Sequence, residues 1–290
     1  MAHQQRKESA MQRYTPREED YTVNLRSPAS GDGKRGILLQ RTKTIKSGDY
    51  MEAEIFPVVM TERGIREERR KRTPEQIRIV NERNAVKRLE RLMHCNFGEG
   101  DLMPHLTMDR TCTFGDMQRT VRMFFQRLRR LAKKRGAELR YIYVIETKQE
   151  HGQQRHHLHG LINGGWITRD EVEKIWGNGL SRVDRVQEQQ TGLRGFARYI
   201  TRQKSTQERL MHRRWGCSKG LKQPTVTTAD RKFSRAACAR IAAGVEADAR
   251  AIFEKKYPGY RLAEQPVIRW SEWLPGCYIY AMMVRRGCEG

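Results

Sequence analysis

The residues in this chain that could do chemistry are clustered. Four of its 8 histidines, His151, His156, His157 and His159, fall within one short polar stretch. His157 and His159 are one residue apart, and on a β-strand that spacing points both imidazoles to one face while Leu158 and Gly160 point to the other. Two convergent ring nitrogens with a carboxylate beside them suit Mg, Mn or Zn. Glu146 closes the β-branched and aromatic run from Tyr141, and it joins the imidazoles if that run pairs with the histidine strand. Glu150, nearer the turn at Gly152, is the alternative third ligand. A short H-x-H is weak by itself, because a solvated polar turn also collects histidines.

The second chemical residue is Tyr199. In L-R-G-F-A-R-Y-I-T-R-Q-K, starting at Leu193, the apolar residues Leu193, Phe196, Ala197 and Ile200 recur at helical spacing, and Arg202 follows Tyr199 by about one turn. A phenol with its ordinary pKa of about 10 is a poor nucleophile. Beside a guanidinium and aimed at a metal-polarised phosphate, it can attack. Taken alone, Tyr199 reads as an ordinary half-buried aromatic.

These residues need elements to position them. Tyr141–Glu146 and His156–Ile162 read as two strands of a hairpin. Ahead of them, His105–Thr111 reads as a strand, and a helix from Asp116 buries Met117, Val121, Phe124, Leu128 and Leu131 and turns Arg122 and Lys133 outward until Gly136 stops it. Thr168 opens a further helix with a capping-box pattern, and Leu180–Val186 reads as a strand. Strands joined by hairpins and by helices predict an α+β fold, with a central antiparallel or mixed sheet, helices packed on one face, and the other face left for a site. Residues 1–50 read as a basic tail with short extended pieces at 36–40 and 50–56. Residues 51–100 read as a helical lead-in, with Thr73 as N-cap and an apolar stripe of Ile77, Val80, Val86, Leu89 and Leu92. The catalytic domain is expected over 101–228. A helix from Ala229 to about Lys256 and strands within 266–284 make up 229–290.

Composition narrows the partner. Lys and Arg number 57 against 34 acidic residues, a net charge of +23 in 290 residues. That is the footprint of a polyanion binder. The start of the chain lacks an apolar leader, no apolar run is long enough for a span, and the 6 cysteines lie scattered, so a reducing cytoplasm is the expected setting and no membrane partner is expected.

Taken together, the motifs resemble the HUH endonuclease superfamily, in particular the rolling-circle replication initiators of phages and plasmids. H-L-T-M-D at 105–109, H-L-H at 157–159 and R-Y-I-T-R at 198–202 follow that family's order, and R-R-W-G-C-S-K-G-L-K-Q-P at 213–224 resembles a segment that follows the tyrosine in phage-type members. Two departures stand out. Arg202 occupies a position where the family carries Lys, and Gln203 occupies the place of a second tyrosine, so the resemblance is to the single-tyrosine kind. The resemblance implies that His157, His159 and Glu146 hold Mg2+ or Mn2+ and that Tyr199, supported by Arg202, nicks single-stranded origin DNA through a 5′-phosphotyrosyl intermediate. It also implies that Arg198, Lys204, Arg122 and Lys133 track the DNA backbone and that a host polymerase and helicase act with the chain. No G-x-x-x-x-G-K-[ST] loop is present, so a fused helicase is not expected. Two alternatives share the charge: a non-catalytic nucleic-acid-binding protein, and a relaxase or single-strand transposase with the same layout.

Overall fold

Thr42, Thr44 and Gln40 explain why the first strand is hard to see in the sequence. They occupy positions where a strand usually buries aliphatic side chains, yet each is buried. A computed structural model describes residues 37–60, 73–109, 112–150, 153–187, 192–197, 215–270 and 276–287. In it, β1 (Ile37–Ser47) and β2 (Tyr50–Met60) form a long antiparallel hairpin. The expected tail therefore does not reach residue 50, and the lead-in begins with a strand and not a helix. The charged side chains on β1 gave it the look of a tail, but Arg41 is held by a bidentate contact to Asp230 at 2.7 and 2.9 Å.

The chain divides into two units. The first contains the β1–β2 hairpin and residues from Thr225 onward. Its sheet runs β10-β11-β2-β1-β8, with β9 pairing β11, where β8 is Thr225–Asp230, β9 Tyr260–Leu262, β10 Val267–Trp270 and β11 Cys277–Arg285. The single helix expected from Ala229 is replaced by β8 and two shorter helices, Arg235–Ala242 and Glu246–Lys256. The β-branched run T-V-T-T pairs with β1, and Gly244, at φ 81°, adopts the left-handed backbone that ends the first of these helices.

The second unit holds the predicted chemistry. Its sheet is antiparallel throughout, in the order β6-β3-β5-β4-β7. Here β3 is Leu102–Thr107, β4 Tyr141–Glu150, β5 Gln153–Ile162, β6 Ser181–Arg185 and β7 Gly216–Cys217. In chain order, α1 is Pro74–Asn96, which belongs to this unit from Ala85 onward, α2 is Phe114–Lys134 and α3 is Arg169–Trp176. Local signals set these helices. Thr73 and Gln76 exchange the two capping-box hydrogen bonds at 3.2 and 3.0 Å, and Thr113 with Asp116 and Thr168 with Glu171 form the same box for α2 and α3. Ile77, expected inside, is 46% exposed, whereas Leu89, Leu92 and Met93 are buried.

The α+β class and the antiparallel sheet are as predicted. α2 and α3 cover one face, packing Phe124, Leu128 and Trp176 on Leu102, Leu106, Leu158 and Ile162. The opposite face is not bare, since Leu89, Leu92, Met93, Phe97, Leu193 and Ala197 pack there on Ile142, Val144 and Leu161. Among the described residues no helix is long and apolar enough to cross a membrane.

Candidate active site

β4 and β5 are longer than the sequence suggests. They run on to Glu150 and from Gln153, so Glu146 lies within its strand and not at its end. The register pairs Glu146 with His157, and Val144 with His159. Glu150 pairs with Gln153, well along the ladder from both histidines. On the other side of β5, His105 pairs with His159 and Thr107 with His157. Directly opposed residues on antiparallel strands share a face, so Glu146, His157, His159, His105 and Thr107 form one patch across three strands.

The contacts within the patch are close. His159 Nε2 lies 2.8 Å from Glu146 Oε2, and Thr107 Oγ1 lies 2.8 Å from His157 Nδ1, which sets the plane of that ring. The His105 and His159 rings stack with centroids 4.2 Å apart, and His105 and His157 stand 5.5 Å apart. Lys148 Nζ reaches the same Glu146 oxygen at 3.4 Å. Glu146, His157 and His159 are only 4–5% exposed. Burial, followed by the charges that His105, Lys148 and His157 would carry, pushes His159 down to about 3. Its imidazole is therefore neutral at neutral pH, and Nε2–H donates to the Glu146 carboxylate.

Chemically, two imidazoles and a carboxylate fit a divalent cation. As placed, Glu146 is spent on the hydrogen bond to His159. Among the described residues no group of three His, Cys, Asp or Glu side chains is arranged to hold a metal ion. Ligation by this set would exchange that hydrogen bond for bonds to the ion.

Two participants were missed by the sequence reading, His105 and Thr107. The signal existed, because both lie on the polar face of H-L-T-M-D, but only the β3–β5 register joins them to the histidine motif. Tyr199, Arg202, Arg198 and Lys204 lie outside the described residues. The turn leading to them is described: Arg194–Ala197 is helical, and Leu193 and Ala197 are buried in the cluster that contains Val144. Two buried contacts fasten this turn to α1. Arg194 Nε donates to Glu90 Oε1 at 2.9 Å, and the Leu193 backbone N–H donates to His94 Nε2 at 2.9 Å. Arg122 and Lys133 lie on the exposed face of α2, away from the histidine face.

Residues 102–204 match the family model of the replication-associated protein ORF2. The matched stretch begins at β3, contains the histidine patch and runs through Tyr199. No curated protein and no solved structure matches the chain. The family match supports a role in the initiation of DNA replication, with DNA as the partner.

Proposed function

We propose that the second unit is a single-tyrosine nickase of the HUH type that opens single-stranded origin DNA for rolling-circle replication. The supporting observation is the shared sheet face: Glu146, His157 and His159 gather on it, and Leu193 and Ala197 pack further along it. Tyr199 follows Ala197 by two residues, a length of chain that spans at most about 7 Å. The phenol-bearing residue is thereby tethered to the face that carries the histidines.

In this reading Thr107 orients the His157 ring, the stacked His105 supports His159, and burial keeps His159 neutral and able to ligate. Glu146, His157 and His159 would hold Mg2+ or Mn2+, which when bound supplies positive charge to a non-bridging oxygen of the scissile phosphate. Tyr199 Oη forms a bond to phosphorus as the bond to the 3′ oxygen breaks. The phenolic proton passes to solvent base, the departing 3′ oxygen takes up a proton, and a 5′-phosphotyrosyl linkage with a free 3′-OH remains. One phosphodiester replaces another, so a 3′-OH can reverse the step and rejoin the strand. Arg202 would place positive charge by the phenol. Arg198, Lys204, Arg122 and Lys133 would hold phosphates, so affinity should fall with salt. A host polymerase would extend the 3′-OH while a host helicase opens the duplex.

The test uses a 3′-labelled library of single strands with Mn2+, comparing the wild-type chain with Tyr199→Phe. The wild type should retain label on a denaturing gel as a covalent adduct, and Tyr199→Phe should not. Equal cutting by both, or no adduct from the wild type, removes the assigned role of Tyr199. One observation favours a second reading. The absence of a preformed three-ligand group among the described residues suits a non-catalytic nucleic-acid binder. DNA binding without cutting, unchanged by EDTA or Mn2+, would select that reading. Cutting of hairpin ends in preference to origin strands would select the transposase.

A further inference from the structure

On the opposite face of the same sheet, the outer surface of α2 carries Gln118, Arg122, Gln126 and Arg129, which recur at helical spacing and form one stripe about 16 Å long. Between this stripe and β4 lies a cavity of about 220 Å³, lined by these four residues with Phe125, Tyr141 and Tyr143. Its floor is a run of aromatic rings. Phe125 stacks on Tyr141 with centroids 3.8 Å apart and planes 16° from parallel, and on Tyr143 at 5.1 Å and 26°. Arg129 hydrogen-bonds the Tyr141 phenol, and the Arg122 charge acts on Tyr143, so both guanidiniums are drawn toward the cavity. Among the described residues no carboxylate lines it. At the sheet edge Gly216 makes room for the floor, because a Cβ there would stand 2.4 Å from the Tyr143 ring.

We propose that this cleft binds the phosphate, sugar and base of single-stranded DNA outside the cleaved position, giving the unit a second strand-binding site on the side of the sheet away from the histidines. The inference rests on the reading of the chain as a DNA-binding protein and is independent of the tyrosine chemistry. Two guanidiniums without a carboxylate form an anion site, and the planar fork of Arg suits phosphate oxygens. Gln118 and Gln126 offer both donors and acceptors, as base edges require, and aromatic rings take bases of any sequence. A strand fits better than a free nucleotide. The cavity is smaller than the roughly 300 Å³ at which enclosed small-molecule pockets begin, and the Gln/Arg stripe continues beyond it along the helix.

The experiment measures binding of a fluorescein-labelled oligonucleotide by anisotropy in EDTA, using the full chain with His157→Ala so that no cutting intervenes. Adding Arg122→Ala and Arg129→Ala should weaken binding about tenfold or more and reduce the slope of log K against log salt by about 1.4, for two phosphates at about 0.7 each. Arg119→Ala with Arg130→Ala removes equal charge from the same helix outside the cavity and should cost clearly less. Arg122→Lys with Arg129→Lys keeps the charge and should still lose affinity, which guards against misfolding of the alanine pair. A 5-iododeoxyuridine strand should photocross-link to Tyr141 or Tyr143. Equal loss from both alanine pairs, no loss from either, or cross-links confined to other residues would overturn the cleft. Protection of these tyrosines by dAMP that does not compete with the oligonucleotide would overturn the choice of a strand. All arms remain valid if Tyr199 turns out not to be the nucleophile.

Discussion

The two faces of the second sheet are built from the same strands, one residue out of step, and they bury opposite chemistry. Leu106 and Leu158, paired across β3 and β5, lie in an apolar core under α2 and α3. Their neighbours His105, Thr107, His157 and His159, paired across the same strands, form a polar patch with Glu146 that is buried almost as completely. Burying imidazoles and a carboxylate costs free energy that burying leucine does not. The apolar face is therefore where the unit draws its stability, and the polar face is where its function should be sought. A one-residue register slip would exchange them.

The comparison can be broken most decisively at the histidines. His157→Ala with His159→Ala should reduce Mn-dependent cutting on the order of a thousandfold, with a smaller fall in thermal midpoint than any truncation on the leucine face. Activity is read by the gel assay and stability by circular dichroism on the same preparation. Next is Glu90, whose loss strands the buried Arg194 guanidinium: Glu90→Ala should destabilise by about 3–5 kcal/mol, and Glu90→Gln by less. If Glu90 also positions the tyrosine segment, adduct yield at saturating DNA should fall in the folded Glu90→Gln protein while DNA affinity holds. On the apolar face Leu158→Ala should cost about 2–5 kcal/mol, and the folded fraction should cut at the wild-type rate; a specific loss of cutting would mean the two faces are not separable. Thr168→Ala removes the α3 cap and should cost about 1 kcal/mol in urea denaturation.

The smallest expected effect is a pH dependence. The hydrogen bond from Arg135, followed by that from the Thr168 backbone N–H, holds the Glu171 carboxyl at about 2, well below its ordinary range. Because its folded-state value is depressed, the stability it contributes is fully present above the unfolded value of about 4.5 and is lost as pH falls toward 2. The side chain is exposed, so the change is slight, and Glu171→Gln should flatten that limb of the stability-pH curve measured by thermal melting.

Legibility in the sequence followed the range of the interaction. The capping boxes at Thr73 and Thr168 and the apolar stripe of α2 were readable because each is written within a few residues. The H-x-H face was readable for the same reason, since alternation on a strand is local. β1 was not readable, because the sheet buries its small polar residues Gln40, Thr42 and Thr44 and its charged residues look like those of a tail. β8 was overlooked because its side chains are exposed and its place depends wholly on pairing with β1.

The candidate site divides along the same line. The sequence by itself determined which imidazoles point together, which helices form, and that the chain is a basic partner for DNA. These follow from periodicity, capping and net charge, which need no distant residue. Tertiary structure alone decided that Glu146 stands opposite His157, that His105 and Thr107 join the patch from β3, and that α1 holds the turn before Tyr199. Those facts depend on register between strands and on packing between segments up to about a hundred residues apart, and no local pattern specifies either.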